Sequence, residues 1–263
     1  MLLIPIGDVH LGARACDVDA LRRTVSEIQN TENAFWVGMG DYAECINLTD
    51  KRFDLKSLEP RFLPRLDDLA NACFEELKQI LTPIREKCLG LLVGNHEETL
   101  RLRQSQDIHG ALCLALRAPN LGYDCLLRWT FRRCKAAKHG RFPATTLKIL
   151  ASHGTIASRR PGAKINRMED IASNFNCDIA MFGHGHSKLA SERIELDVPA
   201  SGTMRLMERK KIVIMTGCYR KNHAEGTLDY AEKAGYPPVP IGSPRIRIRP
   251  FALPRDRFVV SVG

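Results

Sequence analysis

Five times between residues 2 and 186 the chain runs through a short apolar stretch and stops beside a glycine or small residue. Each time it then presents an aspartate, an asparagine or a histidine. The fullest instance is Phe35-Trp36-Val37-Gly38-Met39-Gly40-Asp41-Tyr42-Ala43-Glu44, an apolar run, two glycines, an acid and a second acid three residues on. The others are Gly7-Asp8-Val9-His10, Gly94-Asn95-His96-Glu97, Ser152-His153-Gly154 and Gly183-His184-Gly185-His186. Short apolar runs bounded by glycine read as buried strands. Open α/β sheets bind ligands in the crevice outside the carboxyl ends of their strands, so side chains far apart in the sequence are expected to converge there. Five of the eight histidines lie at these strand ends, which is more than core packing requires.

The intervening sequence fits an α/β chain. Strands are expected at 2–6, 34–39, 89–93, 146–151 and 178–182. Asp17 or Asp19 caps a helix reaching about residue 30, with Leu21, Val25 and Ile28 on one face. Further helices are expected at 63–80, with Pro64 in the first turn, at 107–117 and at 166–173, the last after a basic loop at 158–164. Later strands are expected near 126–131, 192–197, 211–216, 245–249 and 257–262, with a tyrosine-containing helix near 226–234. Pro237-Pro238-Val239-Pro240 reads as a rigid turn. No repeat or linker divides the chain, so a single domain over 1–263 is expected.

Composition narrows the class. No apolar run approaches the roughly 18 to 20 residues that span a bilayer, so no membrane partner is expected. The start, Met1-Leu2-Leu3-Ile4-Pro5-Ile6, has no basic flank or cleavage site and reads as a first strand. Nine cysteines are scattered without a CxxC pair, which argues against a zinc ribbon and a disulfide framework and points to a reducing, cytoplasmic setting. Residues 1–127 carry 14 Lys/Arg against 19 Asp/Glu, while residues 128–263 carry 25 against 11. A basic half of this kind suggests a polyanionic partner such as nucleic acid, or else a solvated face.

The ordered set Asp8-x-His10, Gly40-Asp41, Gly94-Asn95-His96-Glu97, an isolated His153 and Gly183-His184-x-His186 resembles the motif series of the calcineurin-like metallophosphoesterases. The resemblance spans residues 7 to 186. It implies a four-layer α/β/β/α sandwich of two mixed sheets flanked by helices, with a dinuclear metal site at one edge. It further implies one divalent ion on Asp8, His10 and His186, a second on Asn95, His153 and His184, and Asp41 bridging both. Mixed oxygen and imidazole donors suit Mn²⁺, and also Fe, Zn²⁺ or Mg²⁺. Such a pair would clamp a phosphoryl group and activate a bridging hydroxide for attack. His96 would face the substrate as proton donor or charge stabiliser, and Glu44 would orient it.

Departures from the family pattern narrow the ester. Gly40-Asp41-Tyr42-Ala43-Glu44-Cys45-Ile46 lacks the arginine that follows this motif in phosphoprotein Ser/Thr phosphatases. Asp8-Val9-His10-Leu11-Gly12 is similar to the opening of the Mre11/SbcD nuclease branch, and the motif order is similar to bacterial and phage-encoded phosphoesterases. A phosphodiesterase or nuclease acting on nucleic acid or nucleotides is therefore expected. A phosphomonoesterase is the alternative, and a catalytically silent, metal-stabilised binding module is the reading from another class. Arg159 and Arg160 are either phosphate contacts or solvated loop charges, and the substrate-binding residues are left open. The 245–249 strand and the segment after it pack on the chain's own sheet or pair with a second copy in a homo-oligomer.

Overall fold

The computed structural model describes residues 1–44, 53–133, 144–198, 206–223, 230–252 and 258–261. Strand β1 (Leu2–Ile6) leads through helix α1 (Val18–Asn30) to β2 (Ala34–Gly38), which lies parallel to β1. The expected cap is present, with the Asp17 side chain accepting from the Ala20 N–H at 2.9 Å. Helix α2 (Leu69–Leu81), strand β3 (Cys88–Leu91), helix α3 (Asn95–Gln104) and helix α4 (Ile108–Leu116) follow. Then come β4 (Asp124–Arg132), β5 (Ala144–Ser152), α5 (Pro161–Ser173), β6 (Ile179–Phe182), β7 (Lys188–Asp197) and β8 (Met207–Thr216). A short helix α6 (Tyr230–Lys233) precedes β9 (Arg245–Ile248) and β10 (Phe258–Ser261).

The strands form two five-stranded mixed sheets, ordered β10-β9-β1-β2-β3 and β4-β5-β6-β8-β7. Each has a parallel centre, β1-β2-β3 and β5-β6-β8, with antiparallel strands outside it. Alternate side chains separate the layers, as the two-residue period of a strand requires. Leu3, Val37, Ile149, Met181 and Ile214 pack between the sheets. Ile4, Ile6 and Trp36 face α1, α2 and α4, while Ala180, Phe182 and Val213 face Met168 and Ala172 of α5. The packing therefore runs helix, sheet, sheet, helix.

Several boundaries differ from expectation. The helix expected at 63–80 is α-helical only from Leu69, because residues Pro60–Asp68 form a 3₁₀ segment broken at Arg65 (φ −126°, ψ 35°) next to Pro64. A proline inside a helix removes one backbone donor and crowds the preceding turn. Helix α5 begins at Pro161 and not at 166, so the basic loop ends at Arg160. Helix α3 was not expected at all, since it lacks an apolar stripe and Leu102 is exposed. Strands β7 and β8 are longer than their apolar runs, extended by diagonal pairs such as Lys211–Glu195 at 2.9 Å and Lys210–Glu192 at 2.8 Å. Strand β9 pairs with β1 and β10 with β9, so the last strands complete the chain's own sheet. Most of the 45–54 segment, the basic stretch from 134 onward and the start of the 226–234 helix lie outside the described residues.

Candidate metal centre

The parallel strands of both sheets end at one edge of the sandwich. Strand β1 delivers Asp8 and His10, β2 Asp41, β3 Asn95 and His96, β5 His153, and β6 His184 and His186. Asp8, His10, Asp41, His96 and His153 are buried, and His186 is partly exposed. The backbone is in the left-handed region at Asp8 (φ 50°), His10 (51°), Asp41 (51°), His184 (61°) and His186 (49°). The other non-glycine residues with positive φ among those described, Ser105 and Arg117, are ordinary helix C-caps. Non-glycine residues in this region carry strain, and five of them cluster at this one edge.

Backbone bonds lock the turns together. The Asp41 carbonyl accepts from the Val9 N–H at 2.8 Å and the His10 N–H at 3.1 Å, and the Asp8 carbonyl accepts from the Tyr219 N–H at 2.9 Å. Gly40 has φ +88°, and a Cβ on Gly94 would overlap the Asp41 backbone nitrogen. Close approach of these two loops therefore requires both glycines.

The side chains group into two triads, Asp8–His10–His186 and Asp41–His153–His184, joined by a third set, His10–Asp41–His96. In the first, His186 Nε2 lies 3.0 Å from His10 Nε2 and 3.3 Å from Asp8 Oδ1. In the second, His153 Nε2 lies 3.1 Å from Asn95 Oδ1 and 3.4 Å from Asp41 Oδ2. The other Asp41 oxygen accepts the His96 backbone N–H at 3.0 Å. All seven expected ligands are thus brought to one edge, with Asp41 between the two groups.

The donor atoms fit cations. His153 Nδ1 donates to the Met39 carbonyl at 2.7 Å, so the lone pair of a neutral ring sits on Nε2, aimed at Asn95 and Asp41 oxygens. His10 Nδ1 donates to Glu44 Oε2 at 2.9 Å, so its Nε2 carries the ring's lone pair and lies 3.0 Å from His186 Nε2. Asp8 Oδ1 and His184 Nδ1 are buried and make no hydrogen bond. Ring nitrogens and carboxylate oxygens brought this close, with unpartnered buried polar atoms beside them, call for positive charge. Protons also meet that demand in part. Burial opposes charging of His153, but the Asp41 carboxylate raises it to about 10. His10 goes the other way, with burial lowering it to about 4 against the pull of Glu44.

Glu44 differs from expectation. Its carboxylate does not orient His96; it accepts from His10 Nδ1 and pairs with Arg220 at 3.3 Å. His96 Nδ1 is held instead by the Glu44 backbone carbonyl. Burial would raise the Glu44 carboxyl, yet Arg220 and His10 bring it down to about 2. For His96, burial lowers the ring's basicity, while the Asp41 and Glu44 charges outweigh this and raise it.

Three contributors were not anticipated. Glu97, which is buried, accepts four backbone N–H groups: Tyr42 at 2.7 Å and Ala43 at 3.1 Å on one oxygen, Asp41 and Gly94 at 3.0 Å on the other. It thereby pins the Asp41 turn to the start of α3. Arg220 follows β8 and a glycine, the same pattern as the other strand ends, and that signal was available in Gly217-Cys218-Tyr219-Arg220. Lys164, mostly buried, donates to the Gly185 carbonyl at 2.7 Å and Ser187 Oγ at 2.6 Å and so holds the Gly-His-Gly-His turn. A cavity of about 450 Å³ opens on the clusters and is lined by His96, Arg159, Lys164, His184 and Arg220, among others. Arg160 precedes α5 as an exposed cap position.

No family model and no curated protein sequence matches the chain. Among solved structures it is similar to Vps29 of Chaetomium thermophilum, with 12% identity and a TM-score of 0.42 over 99% of this chain and 93% of that one.

Proposed function

We propose that this chain is a two-metal phosphoester hydrolase of calcineurin-like type, acting on phosphodiesters of nucleic acid or nucleotides. The observation that carries the reading is the pair of Asp/His triads meeting at Asp41, with two unpartnered buried polar atoms and five left-handed residues at the same edge. Asp8, His10 and His186 would hold one ion and Asn95, His153 and His184 the other, with Asp41 shared; Mn²⁺ is the first choice. When bound, two such ions neutralise phosphoryl oxygens and activate water near neutral pH.

The chain's own residues supply the rest. The Glu44 carboxylate fixes the His10 ring so that Nε2 faces the site, an outer partner of the kind that tunes metal ligands. The Glu44 carbonyl fixes His96 Nδ1, leaving Nε2 to carry a proton towards a leaving oxygen in the cavity that His96 lines. Arg220 offsets the Glu44 charge and lines the same cavity, where it adds positive charge for a phosphate.

Arg220 also favours a second reading. The arginine missing after Gly40-Asp41 does not leave the site without one, so a phosphomonoester dianion also finds a partner here. Steady-state assays of the Mn²⁺-loaded chain against bis(4-nitrophenyl) phosphate, 4-nitrophenyl phosphate, a cyclic nucleotide and single- and double-stranded DNA and RNA separate the two. Diesters are expected to be turned over fastest, and Asp41→Asn is expected to lower kcat/KM at least about 100-fold. Faster turnover of monoesters transfers the assignment to the second reading. Absence of hydrolysis with Mn²⁺, Zn²⁺ and Mg²⁺ alike returns the chain to a metal-stabilised scaffold.

A further inference from the structure

The cavity of about 450 Å³ has a lining of two kinds. One part is the histidine and carboxylate edge already described. The other is the run Tyr236-Pro237-Pro238-Val239-Pro240 together with Arg159, and no catalytic role accounts for it. The Arg159 guanidinium carbon lies 5.1 Å from the centre of the Tyr236 ring. The run is fixed from behind: Asn222 Nδ2 donates to the Pro237 carbonyl at 2.7 Å, and His223 Nε2 donates to the Tyr236 carbonyl at 2.8 Å. Three prolines further restrict its backbone. A wall of aromatic and proline rings on a backbone held in this way, with a guanidinium beside it, offers faces to a flat partner at little ordering cost to the wall itself. Planar bases stack on tyrosine rings and on arginine planes.

We propose that the substrate is a single nucleotide unit, whose phosphoester lies at the metal edge and whose base rests on Arg159, Tyr236 and the prolines that follow. The inference rests on the phosphoester reading above and narrows it. A cavity of this volume belongs to the small-molecule class and suits a cyclic nucleotide, a dinucleotide or the end of a single strand.

Calorimetric titration of the Mn²⁺-loaded full chain with adenosine 5′-monophosphate, ribose 5-phosphate and inorganic phosphate tests this without relying on turnover. The nucleotide is expected to bind about tenfold more tightly than ribose 5-phosphate, about 1.4 kcal/mol. Tyr236→Ala and Arg159→Ala should each remove most of that preference while leaving the affinity for ribose 5-phosphate and phosphate within about twofold. Tyr236→Phe should keep it. Arg159 is exposed, so its variant folds even if Tyr236→Ala does not. Equal binding of nucleotide and ribose 5-phosphate, or a preference untouched in Arg159→Ala and in folded Tyr236→Ala, overturns the inference while phosphate binding leaves the phosphoester reading standing. Failure of all three ligands to bind overturns both.

Discussion

Glu44 serves two neighbours through two different groups, and a substitution separates them. Glu44→Gln removes the charge facing His10 and Arg220 but keeps the carbonyl that holds His96. Loss of such an outer partner typically weakens metal affinity about 10- to 100-fold. We therefore expect a rise in the Mn²⁺ concentration needed for half-maximal activity, with kcat at saturating Mn²⁺ changed far less. A fall in saturated kcat with unchanged Mn²⁺ dependence would place the carboxylate on His96 after all. The gathering of these seven side chains at one edge was legible at this scale, because they follow apolar strand runs that end beside small residues and because their order resembles a known motif series. Glu97 was not, because its partners are the backbone N–H groups of Asp41, Tyr42, Ala43 and Gly94, which no residue type announces. Glu97→Gln leaves one oxygen for four donors, stranding two buried N–H groups, and is expected to destabilise the metal-free fold by about 2 to 4 kcal/mol. Urea unfolding at an unchanged m-value checks it.

Among the elements, those with a cap and a stripe were readable and those without were not. Helix α1 has both: Asp17 at its start and Leu21, Val25 and Ile28 on its buried face. Helix α3 has no stripe, because its first turn is spent on Asn95, His96 and Glu97. The 3₁₀ segment before α2 reflects Pro64 overruling an otherwise helical pattern. Asp17 also gives α1 a pH signature. Burial would raise this carboxyl, but the Ala20 N–H and Lys221 lower it overall. A carboxyl lowered in the folded state contributes stability above its unfolded value of about 3.9 and loses it as pH falls through the folded value. Asp17→Ala should therefore cost about 1 kcal/mol near neutrality. The gap from the unsubstituted chain should narrow as pH drops below about 4, measured by thermal unfolding across pH.

For the whole molecule, the apolar periods were enough to expect an α/β chain and the motif resemblance implied two mixed sheets with helices outside, but the order of strands within each sheet was not in the sequence. Strand β8 inserts between β6 and β7, and β9 returns to the first strand of the chain. Such long-range pairings depend on which faces are buried together and leave no local trace. The basic half is partly neutralised by the chain's own acids, Arg209 by Asp178 and Lys211 by Glu195 within that half and Arg245 by Glu27 of the other. Because the predicted ligands come from five strand ends on two sheets, ion binding should stabilise the molecule as a unit. Free Mn²⁺ at about 100 times its Kd is worth about 2.7 kcal/mol. Chelation should accordingly lower Tm by several degrees, and Asp41→Asn should abolish most of that difference in differential scanning calorimetry.

The five left-handed residues set a limit on how this chain can drift. Each costs on the order of 1 kcal/mol that a glycine would not. Together they draw on a net stability of roughly 5 to 15 kcal/mol for a typical domain. Glycine at Asp8, His10, Asp41, His184 or His186 would relieve backbone tension and so confer a folding advantage. A lineage freed from needing the ions would gain by losing these side chains, one at a time. Their joint presence in a conformation that penalises each of them is what the proposed ion binding would account for.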